Sequence, residues 1–228
     1  HHAEIGGVLP GSMPSGTRNL LEEGVVIEPQ YLFRKDISKM DEISKLLLSG
    51  RFPTRQINEN MADISAQVAS IRRGLVEIKK IISEHSVHEI KKQMKNIFEF
   101  SAKCSEMFLK GFESKSFHST QFFDDGDKLE LKLKIRNGKA VFDFSGSSIC
   151  REDNLNATEA IVHSCVCYCL RTLISKNIPL NEGILNCVSI IIPKGTVLSP
   201  FFNSISGDGF PAVAGGNVEV SQKIVDLI

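Results

Sequence analysis

The chain has 228 residues, 42% of them hydrophobic and 24% charged, which is enough apolar content to bury a core and places it among ordinary globular proteins. Its 27 Lys and Arg balance 27 Asp and Glu, so no net field steers it toward nucleic acid or an anionic membrane, and proteins or small molecules are the expected partners. No apolar run reaches the ~20 residues of a membrane span and no basic-then-apolar leader opens the chain, so a soluble, cytoplasmic protein is expected.

His1 stands where Met would, and residues 221–228 read as an apolar helix cut short, so a piece of a longer chain is expected. Residues 5–19, rich in Gly, Pro and Ser, predict an extended loop. Residues 23–33 carry the β-branched Val25, Val26 and Ile27 and predict a short strand. Met40, Ile43, Leu47 and Leu48 have helical spacing over 38–49, with Ser38 as the expected cap. From 58 to 110 the pattern is helical throughout. Ile64, Val68, Ile71, Leu75, Ile78 and Ile82 form one stripe; Ile90, Met94, Ile97, Phe98 and Phe108 form a second. An antiparallel hairpin linked near 83–86 follows, with Lys91, Lys92 and Lys95 on a solvated face.

The character changes at Phe117. Leu129, Leu131, Leu133 and Ile135 alternate with charged residues, and Asn137-Gly138 supplies a hairpin turn before a second strand at 140–144. Residues 156–174 are apolar nearly all round and predict a buried helix, with His163 a core histidine and Arg171 a structural partner near its end. On that helix Cys165 and Cys169 share a face and Cys167 points elsewhere; with no C-x2-C pair, small core residues are expected rather than a metal knuckle or disulfides. A short strand at 188–192, a loop at 200–216 and a helix from 217 complete the chain. The expected fold class is α+β: a helical hairpin packed with small, mostly antiparallel sheet elements and a buried helix. The chain divides into a Gly/Pro-rich motif segment (1–37), a helical part (38–112) and a mixed part (113–228).

His1, His2 and Glu4 are the most suggestive constellation, because imidazoles and a carboxylate within four residues can converge on one divalent cation. Taken alone, His1-His2 reads first as the stump of a purification tag. A complete site needs a further ligand; Asp124, Asp125 and Asp143 are candidates, although acidic residues beside Gly126 are usually turn formers. Gly215-Gly216-Asn217 before a helix offers backbone donors to an anion, or simply a cap at Asn217. There is no P-loop, no dinucleotide fingerprint and no nucleophile elbow, since Ser145 lacks the leading glycine, and no residue is assigned a catalytic role.

Strings in five ordered places add up to something specific. They are His1-His2-Ala3-Glu4-Ile5-Gly6-Gly7; Pro10-Gly11-Ser12-Met13-Pro14; Asp63 with Ala66-Gln67-Val68-Ala69 and Arg73-Gly74; Val141-Phe142-Asp143-Phe144-Ser145-Gly146 with Asn154-Leu155-Asn156-Ala157; and Ile178-Pro179-Leu180-Asn181-Glu182-Gly183 with Ala214-Gly215-Gly216-Asn217-Val218 and Ser221-Gln222. In these the chain resembles the hydantoinase B half of 5-oxoprolinases and related ATP-dependent enzymes, which makes His1-His2 a native motif. The resemblance implies ATP-driven hydrolysis of a cyclic amide, as when 5-oxoproline is opened to glutamate, with relatives that open hydantoin rings or carboxylate ketones. It implies a hydantoinase A-like domain or subunit that binds ATP, a small cyclic amide as substrate, and a divalent metal held partly by His1, His2 and Glu4; a homo-oligomer is expected. Departures are Glu4 where the family has Asp, Ile71 where it has Asn, Thr158 where it has Pro, and an insertion-like stretch at 201–210. The acidic and His-bearing segment that the family carries upstream of His1 is missing, so the fragment alone is expected to be inactive. A hydantoinase B or ketone carboxylase subunit, and a degenerate non-catalytic scaffold, are the competing readings.

Overall fold

The computed structural model describes residues 4–11, 13–35, 37–200 and 210–228. Among them the elements in order are α1 (Leu20–Glu23), β1 (Phe33–Arg34), β2 (Ile37–Ser38), α2 (Met40–Ser49), α3 (Ile57–His85), α4 (Val87–Lys110), β3 (Ser116–Phe122), β4 (Lys128–Arg136), β5 (Lys139–Asp143), α5 (Glu159–Leu173), β6 (Val188–Ile191) and α6 (Glu219–Leu227), with single 3-10 turns at Glu182–Leu185 and Gly215–Asn217. The fold is α+β, as the sequence suggests.

The sheet that organises the molecule has the order β3-β4-β5-β6. Its first three strands are antiparallel, and β5 pairs with β6 in parallel, Ala140 opposite Val188, after a crossover through α5. Asn137 and Gly138 both have positive φ, 53° and 68°, which is the backbone of a two-residue hairpin loop. The alternation in β4 buries Leu129, Leu131 and Ile135 against α4, α5 and α6. β3 was not anticipated; its Ser, His, Thr and Gln residues on an edge strand give little apolar alternation.

A second, smaller cluster lies at the other end, where Val25, Ile43 and Leu47 pack with Ile57, Met61 and Ile64. α3 is rooted in this cluster and α4 in the main one, through Cys104 and Leu109. They meet at Ser86, which has φ 63° and whose hydroxyl caps α4 by accepting from the Glu89 amide. Between residues 61 and 100 nothing is buried. From Ile71 to Ile78 the expected stripe of α3 is therefore open, with Leu75 and Ile78 more than half exposed.

Four local expectations are corrected. The strand expected over 23–33 does not form, apart from Phe33 in β1: Val25 donates its amide to the Ile5 carbonyl at 3.0 Å but no ladder continues, and the preceding residues form α1 instead. Ser38 accepts from the Met40 amide at 3.3 Å, but Lys39 is the cap residue of α2. The helix α5 is not buried all round; Val162, Cys165, Val166, Cys169 and Leu170 face the core, whereas His163, Ser164 and Tyr168 are exposed, so His163 is no core histidine. Asn217 does not cap α6 but sits in the 3-10 turn before it. No helix among the described residues is long and apolar enough to cross a membrane.

Candidate functional site

The described part of the first motif string, from Glu4 to Gly7, runs against the turn that leads into α3. The Gly7 amide donates to the Phe52 carbonyl at 3.0 Å, and the Val8 amide to that of Glu22 at 2.8 Å. Gly6 and Gly7 have φ of 99° and 102°, and a Cβ on Gly6 would lie 2.1 Å from the Phe52 carbonyl oxygen, so no larger residue fits. This is the physical reason for the Gly-Gly pair.

Glu4 is the acidic member of the proposed metal string, and its carboxylate is already engaged. One oxygen accepts from the Arg55 guanidinium at 2.7 Å and the Gly6 amide at 3.1 Å; the other accepts from the Arg55 amide at 3.0 Å and the Thr54 hydroxyl at 3.1 Å. Burial raises the pKa of this carboxyl, but the bonds from Arg55, Thr54 and Gly6 outweigh burial and hold it below its ordinary value. Buried Asn60 secures the same residue by donating to the Glu4 carbonyl at 2.8 Å. A carboxylate accepts through about four lone-pair sites, so as it stands Glu4 does not fit a metal ligand. His1 and His2 lie outside the described residues. Among the described residues no group of three or more His, Cys, Asp or Glu is arranged to hold a metal ion.

The other acidic candidates do not join Glu4. Asp143 accepts from the Ser145 amide at 2.9 Å and so shapes the Asp-Phe-Ser-Gly turn. Asp125, with Asp127 and Asp153, surrounds Arg151, whose side chain is 8% exposed and lies 4.7 Å above the Phe123 ring. Hydrogen bonds from Arg151 hold the Asp125 carboxyl down at about 2. Asp124 is exposed on the same turn.

Farther along, the motif segment meets two of the other strings in one polar knot. The Asn154 side chain donates to the Pro14 carbonyl at 2.8 Å, while the Asn154 backbone carbonyl accepts from the Gly216 amide at 2.9 Å. Asn156, fully buried, donates to the Ala212 carbonyl at 3.0 Å. At Gly216 a Cβ would fall 1.9 Å from the Asn156 carbonyl oxygen. The Glu23 carboxylate takes the Val213 and Ala214 amides at 2.9 and 2.7 Å and the Thr17 hydroxyl at 3.3 Å. Burial pushes the Glu23 carboxyl above its ordinary value, with those amides opposing. Pro14, the Asn154–Ala157 string and residues 212–216 are thus held together across some two hundred residues of sequence, and the Gly216 amide is used inside the fold.

Sequence reasoning missed Arg55, Thr54, Asn60, Glu23 and Arg151. Their partners lie 48 to 56 residues away for the first three and 190 or 191 away for the Glu23 bonds to Val213 and Ala214, a separation that no local periodicity marks.

The whole chain, residues 1–228, matches the hydantoinase B/oxoprolinase family. The chain belongs to that family. It is 36% identical to the 5-oxoprolinase of Saccharomyces cerevisiae over 240 residues, covering 100% of this chain and 18% of that protein. It is 34% identical to 5-oxoprolinase 1 of Arabidopsis thaliana over 255 residues, again over 100% of this chain and 19% of that one. The hydantoinase B/oxoprolinase chain thus spans about a fifth of the length of these relatives. In fold it is similar to the crystal structure of an ATP-dependent caprolactamase from Pseudomonas jessenii, with a TM-score of 0.82 at 20% identity, covering 97% of this chain and 38% of that one.

Proposed function

We propose that this hydantoinase B/oxoprolinase chain serves an ATP-dependent cyclic-amide hydrolase that opens 5-oxoproline to glutamate, with ATP bound by a hydantoinase A-like portion. The observation that carries the reading is the end-to-end similarity to 5-oxoprolinases at 34–36% identity. The fold is compatible with it: four of the motif strings are built into the tight turns and buried amide bonds just described, so their residues are held rather than idle.

Opening an unactivated lactam is slow because the amide nitrogen donates into the carbonyl. Phosphorylation of that oxygen by the ATP-binding portion makes the carbon electrophilic; one water adds, the C–N bond breaks with the nitrogen leaving as the amine, and a second water releases phosphate from the acyl phosphate, so the B-type chain has to orient the ring and admit water in order. The proposal places a divalent metal at His1, His2 and Glu4. For Glu4 to ligate, its pairing with Arg55 must open; otherwise it is no ligand.

The test, made on the longer protein that contains this chain, combines elemental analysis with ATP-dependent glutamate release from 5-oxoproline. Wild type is compared with His1→Ala, His2→Ala, Glu4→Ala and Arg55→Ala. Joint loss of metal and turnover in His1→Ala and His2→Ala supports the site. Retention of metal in Glu4→Ala removes Glu4 from the ligand set, and a metal-free, inactive wild type overturns the enzymatic reading in favour of a scaffold.

A further inference from the structure

We propose that the open cleft between residues 18–19 and residues 150–152 binds the α-amino-acid end of a small molecule, its carboxylate on Arg18 and the hydrogens of its α-nitrogen on Glu152. The cleft lies where the motif segment meets the Asn154 string. It holds about 420 Å³, inside the range of about 300–1,000 Å³ that small-molecule sites occupy, and Phe210 and Pro211 supply an apolar wall.

Two opposite charges line this cleft and do not meet. Arg18 and Glu152 are both exposed, and among the described residues neither side chain has an ion pair or a hydrogen bond, with the other or with anything else. Their neighbour behaves differently: Arg151, also in the lining, is taken up by Asp125, Asp127 and Asp153 at 2.6 Å each. A ligand that carries a carboxylate and an N–H donor on one carbon spans the gap. The guanidinium of Arg18 takes the carboxylate through two parallel hydrogen bonds, and Glu152 accepts from the nitrogen.

Both groups stand on fixed backbone. The Arg18 amide donates to the Glu22 carboxylate at 2.7 Å, its carbonyl accepts from the Ala212 amide at 3.2 Å, and the Leu20 amide reaches the Phe210 carbonyl at 2.9 Å. Across the cleft the Arg151 amide donates to the Asn156 side chain at 2.8 Å, which pins the chain just before Glu152. Groups displayed from a fixed frame lose less freedom when a ligand arrives.

The surrounding charge narrows the class. Arg151 and its three aspartates sum to one positive against three negative charges, a net −2. That field opposes a ligand with carboxylates alone and favours one with a protonated nitrogen. Glutamate therefore suits the cleft better than glutarate, which has the same carboxylates and no nitrogen. That the ligand is the substrate or product of ring opening rests on the 5-oxoprolinase reading; the chemistry of the cleft does not.

Isothermal titration of glutamate, 5-oxoproline and glutarate into the longer protein that contains this chain, without ATP, tests the proposal. Wild type should bind glutamate and 5-oxoproline, and glutarate about tenfold more weakly. Arg18→Ala should weaken glutamate and 5-oxoproline by about tenfold or more, and Arg18→Lys by less. Glu152→Gln should narrow the preference for glutamate over glutarate. Both side chains are exposed, so an unchanged urea midpoint shows that each variant is folded. Wild type that binds no glutamate, equal binding of glutamate and glutarate, or affinities that ignore both positions would overturn the proposal. Turnover separates it from the reading it rests on. Binding in the expected pattern with no ATP-dependent glutamate release removes the 5-oxoprolinase reading and leaves the cleft, whereas full turnover with titrations unchanged in the variants removes the cleft and leaves the reading.

Discussion

Glu130 is the residue at which the β4 alternation breaks. It is 7% exposed in a position that should face outward, and it keeps its charge through Lys128 at 2.5 Å, Lys132 at 3.1 Å and His118 at 3.2 Å. The hydrogen bonds from Lys128 and Lys132 hold its carboxyl down at about 2, from an ordinary 4.5. A depressed carboxylate stabilises the fold above its unfolded pKa and loses that contribution as pH falls through the folded value. The stability gap between wild type and Glu130→Gln should thus be full at neutral pH and close between about 4.5 and about 2. Urea midpoints across that range measure it; a gap that stays constant would mean the pairing is not felt. Gly146 belongs to the same arrangement, since a Cβ there would meet the Glu130 carboxylate at 2.3 to 2.6 Å. Gly216 faces backbone instead of a movable side chain, so Gly216→Ala should cost about 3 kcal/mol, the upper end for overpacking, seen as a lower urea midpoint. Full retention of stability would show that the knot relaxes freely.

Elements were legible where one local signal decided them. The β4–β5 hairpin follows from Asn137-Gly138 and the Leu129 to Ile135 alternation, because turn chemistry and pleat agree. The α3 and α4 helices follow from spacing alone. Residues 24–28 failed because β-branched side chains make a strand only when a neighbouring strand pairs with them, and the one contact here is a single bond to Ile5. Helix α5 misled because Tyr counts as apolar, yet Tyr168 turns outward on the same side as His163, while Cys167 stays half-buried. The candidate site was legible as strings but not as contacts: nothing near Glu4 in sequence announces Arg55. Asn154→Ala is the element-level test, since it removes the side-chain tie to Pro14 and leaves that buried carbonyl short of a donor, at about 1–3 kcal/mol. Protease cutting within residues 8–16 should speed up in this variant; an unchanged rate would show that Glu23 holds the segment by itself.

At the scale of the whole molecule, the sheet with α5 and α6 forms the larger cluster, and the motif segment with α2 and the start of α3 forms the smaller. The chain belongs to the hydantoinase B/oxoprolinase family and spans about a fifth of its relatives' length.

The joint between the two clusters has a consequence of its own. It is made by polar bonds, Asn154 to Pro14, Glu23 to Val213 and Ala214, and the Leu20 amide to the Phe210 carbonyl, while each cluster keeps its oil to itself. Hydrogen bonds of this kind trade readily with water, whereas the Leu129 to Phe142 layer does not. The seam should act as a latch: in native-state hydrogen exchange the amides of Val213 and Ala214 should open well before those of Leu131 and Phe142, swinging the motif segment free while the sheet stays shut.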